Sequence, residues 1–208
     1  MPTTRVRFLL ATAAAMALLT TVCLPISDAS AKDSWGVFNY EISFPSKTSV
    51  AGSDISDFVD ETSFRGIGFE GRWFTSRNTS MGYSFDWNVL HDKTGDPITF
   101  NNGVTVSGTQ DRTINTFPIL VTGHYYMGPN NAFFAGLGAG LYYQEQRWDV
   151  GVFAFDSETW HFGFAPEIGI SHEIDYDVRA VLALRYNYAL EKSDTELQYW
   201  TVKVGIAW

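Results

Sequence analysis

From residue 35 onward the chain alternates with period two: apolar side chains occupy every second position, and small or polar ones lie between. Eight segments carry the pattern: Trp35–Phe44, Ser63–Phe74, Ser80–Leu90, Thr113–Met127, Ala132–Gln144, Trp160–Glu173, Val178–Leu190 and Gln198–Trp208. Each is about ten residues long, the length a tilted strand needs to cross a bilayer. The connections alternate as well. Thr75–Thr79, Gly128–Asn131 and Asp175–Asp177 are tight and rich in turn residues. Pro45–Thr62, His91–Arg112, Glu145–Glu158 and Glu191–Leu197 are longer and polar, and are expected to be loops. Short turns at one end and long loops at the other are the asymmetry of bacterial membrane barrels. The pattern predicts an all-β protein, an eight-stranded antiparallel up-and-down transmembrane β-barrel.

A sheet with one apolar and one polar face closes in two ways. A soluble barrel hides its apolar face, and a membrane barrel turns it to lipid. The charged residues decide between them. Glu41, Glu70, Arg72, Asp86, His124, Glu167, Arg185 and Lys203 all fall on the small, polar face. Turned to lipid, a midplane Arg or Lys would cost about 2–4 kcal/mol. Turned inward, the acids and bases can neutralise one another as a barrel-interior charge network. The glycines Gly136, Gly138 and Gly140 share that face and leave space for long side chains opposite.

Aromatic residues gather at the segment ends. Trp35, Trp73, Phe74, Tyr125, Tyr126, Phe133 and Trp208 lie near the short turns; Trp87, Tyr143, Trp148, Trp160, Tyr188 and Trp200 lie near the long loops. Two such belts suit the two lipid–water boundaries. Pro118 and Pro166 stand inside segments. Each removes a ladder donor, which predicts a bulge or locally open pairing, a bulge being the first expectation.

Residues 1–31 carry Arg5 and Arg7, an apolar run Phe8–Leu24 and the small residues Ala29-Ser30-Ala31. This is the make-up of a secretory signal cleaved near Ala31, followed by a barrel domain over 32–208. The lone cysteine, Cys23, lies within that leader, so the exported chain has no thiol chemistry, disulfide or Cys-based metal site. Net charge is −9, and the leader contributes two arginines and one aspartate, so the rest is more acidic still. Phosphate contact needs a basic surface, so nucleic acid is excluded as a partner. The four histidines show no metal-ligand spacing, and no cofactor is expected. The long connections carry Asp54, Asp57, Asp60 and Glu61, then Asp149, Asp156 and Glu158, then Glu191, Asp194 and Glu196. Plain solvation is the first expectation for such acids, and bridging by divalent cations to the phosphates of lipopolysaccharide is the alternative.

Several stretches resemble the small outer-membrane β-barrel family that includes OmpA-, OmpX-, OmpW- and opacity-protein-like chains. They are Thr116-Phe117-Pro118-Ile119-Leu120 with Tyr125-Tyr126, the glycine-rich Ala135–Leu141, Leu184-Arg185-Tyr186 and the closing Val202–Trp208. The resemblance implies residence in a Gram-negative outer membrane, with outer-membrane lipid and lipopolysaccharide as surroundings. It implies that Trp200, Val202, Val204, Ile206 and Trp208 form the signal read by the barrel-assembly machinery. Most family members end in Phe, and Trp208 departs from this. OmpW-like relatives join a strand disruption to a lateral exit for apolar compounds, which would make this a narrow channel. Some relatives modify lipid A. The deacylase-type His-x-Ser motif is absent here, because His161 is followed by Phe162-Gly163. The residues therefore predict a non-enzymatic barrel serving envelope integrity or surface interaction, with its interior plugged.

Overall fold

Period-two alternation resolves into eight long antiparallel strands. They are β1 (Ser34–Thr48), β2 (Gly66–Ser76), β3 (Thr79–Thr94), β4 (Gln110–Met127), β5 (Phe133–Val150), β6 (Phe153–Asp175), β7 (Val178–Lys192) and β8 (Thr195–Ala207). The computed structural model describes residues 34–49, 58–95, 97–99, 105–192 and 195–208. The leader expected over residues 1–31, and Asp54, Asp57 and Asp194, lie outside the described residues.

Every strand pairs with its sequence neighbours, and β1 pairs with β8 to close the barrel. The closing seam sets Phe38 opposite Ile206 and Glu41 opposite Lys203. Reciprocal 2.9 Å hydrogen bonds between Gly36 and Trp208 finish it at the short-turn end. The turns there are tight: Arg77-Asn78, a 3₁₀ turn at Pro129–Asn131, and Tyr176-Asp177. Asn130, Asn131 and Asp177 take the left-handed conformation that such reversals require.

The faces divide as the alternation predicts. Phe69, Met81, Phe85, Val121, Leu137, Ile168, Val204 and their neighbours are exposed on the outer wall. The outward aromatics form two rings. Trp73, Tyr125, Phe133 and Trp208 are near the short turns, and Trp87, Trp160 and Trp200 are near the other end. Eight residues separate Tyr125 from Phe117, and eight separate Trp208 from Trp200. At 3.3 Å per residue and a tilt near 40°, that spans about 20 Å, close to the apolar band of an outer-membrane barrel.

Four expected belt residues face the other way. Trp35, Phe74 and Tyr126 meet inside the barrel, with Trp35–Phe74 ring centroids 4.6 Å apart and Phe74–Tyr126 5.0 Å apart. Trp148 is buried inside the opposite end. Position along the strand suited a belt, but parity puts these side chains on the inner face.

The expected loop Glu145–Glu158 is mostly strand. β5 and β6 stay paired from Phe133↔Ile170 up to Val150↔Phe153. Only Gly151-Val152 turns, with Gly151 at φ 60°. Polar residues mislead here because, beyond the lipid, both faces of a strand can carry them. β3 and β4 likewise extend to Thr94↔Gln110, so strands β3–β6 rise above the rim as one sheet.

Neither proline makes a bulge. Around Pro118, the β3–β4 register skips from Phe85↔Ile119 to Asn88↔Thr116 without a shift. Around Pro166, the β6–β7 register skips from Phe164↔Tyr188 to Glu167↔Arg185, again unshifted. Pairing opens locally because each missing N–H pointed at that neighbour. True register shifts sit near the strand ends, between Pro45 and Lys47, Phe74 and Ser76, Glu173 and Asp175, and Thr195 and Leu197.

Candidate functional site

The inward face of seven strands supplies one ionic cluster at mid-height. β1 contributes Glu41, β2 Glu70 and Arg72, β3 Asp86, β4 His124, β6 Glu167, and β7 and β8 contribute Arg185 and Lys203. Only β5 contributes none of them, and all eight side chains are buried.

Arg185 is the hub. Its guanidinium donates to Asp86 at 2.7 Å, Glu167 at 2.7 Å, Glu70 at 2.9 Å and the Ser84 hydroxyl at 2.9 Å. Arg72 grips Glu70 at 2.5 Å and Glu167 at 3.1 Å, and donates to the Tyr126 hydroxyl at 3.3 Å. Lys203 contacts Glu70 directly and lies 3.4 Å from Glu167 and 3.8 Å from Glu41. Asn88 donates to Glu41 at 2.9 Å, and Ser43 donates to Asn88 at 2.8 Å. Low-dielectric surroundings strengthen each contact, and the multiple partners offset the desolvation of the charges.

Four carboxylates face three permanent cations, Arg72, Arg185 and Lys203. His124 Nε2 is 3.5 Å from Glu167 Oε1. With His124 neutral, the formal balance of the cluster is one negative charge. Ligand atoms of Glu70, His124 and Glu167 lie within 4.8 Å of one another, a spacing a metal ion could use. Arg72 and Lys203 already contact both carboxylates, so the protein's own cations occupy that role. Sequence spacing could not reveal the trio, because its members come from three separate strands.

Aromatic and aliphatic groups lie on both sides of the ions. At the short-turn end, Val37, Tyr126, Phe134, Val181, Ala183 and Ala207 pack together, with Trp35 and Phe74 against them. Toward the other end Leu120, Tyr142, Ala165, Ala189 and Tyr199 follow, and then Leu90, Ile114, Trp148, Val150 and Leu197. Phe58 and Val59, from the connection after β1, fold into this mouth and are 1% exposed. Arg112 holds the Phe58 carbonyl at 3.2 Å and its guanidinium lies over the Phe58 ring. Of the glycine wall, Gly136 makes room for a ring, since a Cβ there would stand 2.4 Å from the His124 ring, and Gly138 faces the Leu120 side chain.

The open stretch at Pro118 is covered on its outer side. Trp87 and Phe117 stack with planes 4° apart and centroids 6.2 Å apart, and Tyr143 continues the row at 5.8 Å from Phe117.

The other histidines are placed differently. His161 is buried and its Nδ1 meets the Leu190 carbonyl at 2.9 Å. Ser157 is four residues up the same face, about 13 Å along the strand. His172 is exposed while Ser171 points inward and donates to the Asn131 carbonyl at 2.8 Å. Neither Ser–His pair is in hydrogen-bond reach. Among the loop acids, Glu196 pairs with Lys47 at 2.7 Å and Asp149 with Arg147 at 2.8 Å. Trp200, Val204, Ile206 and Trp208 of the expected assembly signal line the outer wall, with Val202 half-buried among them.

No family model matches the chain, and no curated protein matches it. Solved structures do. Neisserial surface protein A superimposes with a TM-score of 0.52 at 14% identity, covering 84% of this chain and 95% of that one. The outer membrane protein OprG from Pseudomonas aeruginosa gives 0.52 at 14% identity, over 84% and 94%. Ail, the attachment invasion locus protein of Yersinia pestis, gives 0.50 at 8% identity, over 85% and 98%. At these identities the likeness is one of fold: this chain has the architecture of the small outer-membrane β-barrels.

Proposed function

We propose that this chain is a non-enzymatic outer-membrane barrel, exported by a leader cleaved near Ala31, that serves envelope integrity and surface interaction. The observation carrying this reading is the filled interior. Eight buried ionic side chains cross-link seven strands, and packed rings lie above and below them. An ion crossing such a barrel would have to displace Arg185 from three carboxylates and Phe58 from the mouth. Purified protein in planar bilayers is therefore expected to stay electrically silent. Steady single-channel openings would replace this reading with the narrow OmpW-like channel. The local opening at Pro118 is the feature that favours that alternative, and the Trp87–Phe117 stack is what opposes it.

The separation of Ser157 from His161, and the inward turn of Ser171, support a non-catalytic barrel over a lipid A-modifying enzyme. The outward row Trp200, Val202, Val204, Ile206 and Trp208 suits recognition by the assembly machinery. Exposed Asp60, Glu61, Asp156, Glu158 and Glu191 suit bridging by divalent cations to lipopolysaccharide phosphates. Chelation is expected to lower both thermal stability and lipopolysaccharide association; unchanged values would remove the bridge.

A further inference from the structure

Two carboxylates of the ionic cluster are each bound through one oxygen only. Asp86 Oδ2 accepts from Arg185 at 2.7 Å and from Ser84 at 2.7 Å. Glu41 Oε2 accepts from Asn88 at 2.9 Å. Among the described residues, Asp86 Oδ1 and Glu41 Oε1 have no hydrogen-bond partner. Lys203 Nζ stands 3.8 Å from Glu41 Oε1, beyond hydrogen-bond reach.

These two oxygens meet. Gly68 on β2 is the register partner of Asp86 on β3, and β1 with Glu41 lies on its other side. A Cβ built on Gly68 would collide with Asp86 Oδ1 and Glu41 Oε1 together, so both converge over its bare Cα. An ionised carboxylate can only accept, so neither oxygen can satisfy the other. The Tyr199 hydroxyl is within electrostatic reach of both acids and also has no hydrogen-bond partner. Asn88, Thr116 and Gln144 are register partners along β3, β4 and β5, and Thr116 Oγ1 and both polar atoms of Gln144 are unpartnered as well. Glu41, Asp86, Thr116, Gln144 and Tyr199 are all at most 1% exposed.

Charge decides what belongs there. The four acids outnumber Arg72, Arg185 and Lys203 by one, and a buried excess charge is costly. A water molecule could donate to both oxygens but would leave that charge in place. His124 serves the other side of the cluster, 3.5 Å from Glu167, so its protonation would leave the meeting of Glu41 and Asp86 unrelieved. A divalent ion would overshoot the balance beside Arg185 and Lys203.

We propose that Glu41 and Asp86 hold one monovalent metal cation between them, with the Tyr199 hydroxyl as a further oxygen ligand. Waters kept by the ion supply the partners that Thr116 and Gln144 lack. The ion is taken up as the strands close around it, and it contributes to the stability of the barrel.

The test is reversible urea unfolding of the full barrel in vesicles of uncharged phosphatidylcholine at neutral pH. Sodium chloride or potassium chloride is exchanged against choline chloride at constant total salt, choline being too large for the site. With the better-fitting of the two metals, the urea midpoint is expected to rise about 0.7 M for each tenfold increase above the dissociation constant. Glu41→Gln removes the excess charge and one ligand oxygen. It is expected to abolish the metal dependence while keeping a midpoint in choline at least as high as that of the unaltered barrel. If Glu41 were only an ion-pair partner of Lys203, the variant would be weaker in every salt and would keep any metal dependence. That result overturns the proposal. Should the variant fail to refold, the unaltered barrel decides alone: midpoints equal in sodium, potassium and choline overturn the proposal. A response to magnesium without one to sodium or potassium overturns it in favour of a divalent site.

Discussion

Removing the hub of the ionic cluster tests the energetic reasoning most directly. Arg185→Met keeps most of the side-chain volume and deletes four charge-assisted donors. Glu70, Asp86 and Glu167 each lose a partner at 2.7–2.9 Å. Arg72 and Lys203 remain, so four buried carboxylates face two permanent cations. Breaking a buried pair from one side costs about 3–5 kcal/mol, because the abandoned charge stays desolvated. With an unfolding slope of about 2 kcal/mol per molar urea, the midpoint falls by roughly 1.5–2.5 M. The assay is urea unfolding of the barrel in lipid vesicles, followed by Trp fluorescence and by gel mobility of unheated samples. Adding Glu167→Gln to Arg185→Met removes one orphaned charge and is expected to recover about 1–3 kcal/mol, a positive coupling in the double-mutant cycle. A loss below about 1 kcal/mol for Arg185→Met would refute the argument. That small value is what a water-exposed pair gives, and it would mean that solvent reaches the network.

Two further substitutions probe the walls. Val121 is 54% exposed and stands four residues from Phe117 and four from Tyr125, midway between the rings of aromatics. Val121→Arg is expected to cost about 2–4 kcal/mol in vesicles, falling to less than half that in the short-chain detergent that lets the guanidinium reach water. An equal, small cost in both would place this face away from lipid. Gly136→Ala pushes a methyl against the His124 ring, and is expected to cost about 1–3 kcal/mol of overpacking. Gly123→Ala has its nearest neighbour at 4.0 Å and is expected to stay within about 0.5 kcal/mol in the same unfolding assay.

Strand number and the lipid-facing set were legible because both are written locally. Alternation over a handful of residues fixes which face Phe85 or Asp86 takes, whatever the partners. The membership of the ionic cluster followed from the same parity. Its wiring did not. Arg185 and Glu70 are 115 residues apart in sequence, and only closure of the barrel decides which acid meets which base. Trp35, Phe74, Tyr126 and Trp148 were readable as inward from their parity, but their height near the strand ends suggested a belt. The Phe58-Val59 stopper had no signal, since a two-residue insertion into a mouth has no period. The rim was misread for a related reason. Outside the bilayer the lipid no longer demands apolar residues, so Glu145, Arg147 and Asp149 look like loop while Gln146, Trp148 and Val150 beside them keep a strand's inner face.

These two regions belong to one physical argument. Within the bilayer, outward positions must be apolar, and the inner face is the only place where charge can be kept. Filling it with mutually neutralising groups ties distant strands together at mid-height, and the rings above and below keep water from weakening the ties. In a barrel built this way the shaft is filled by side chains at mid-height. Chemistry facing the outside is then confined to the segments past the upper aromatic ring. There the β3–β6 sheet continues beyond the point where β7 stops. Among the described residues, Phe153–Thr159 there pairs with β5 alone, above a shaft in which every strand pairs on both sides.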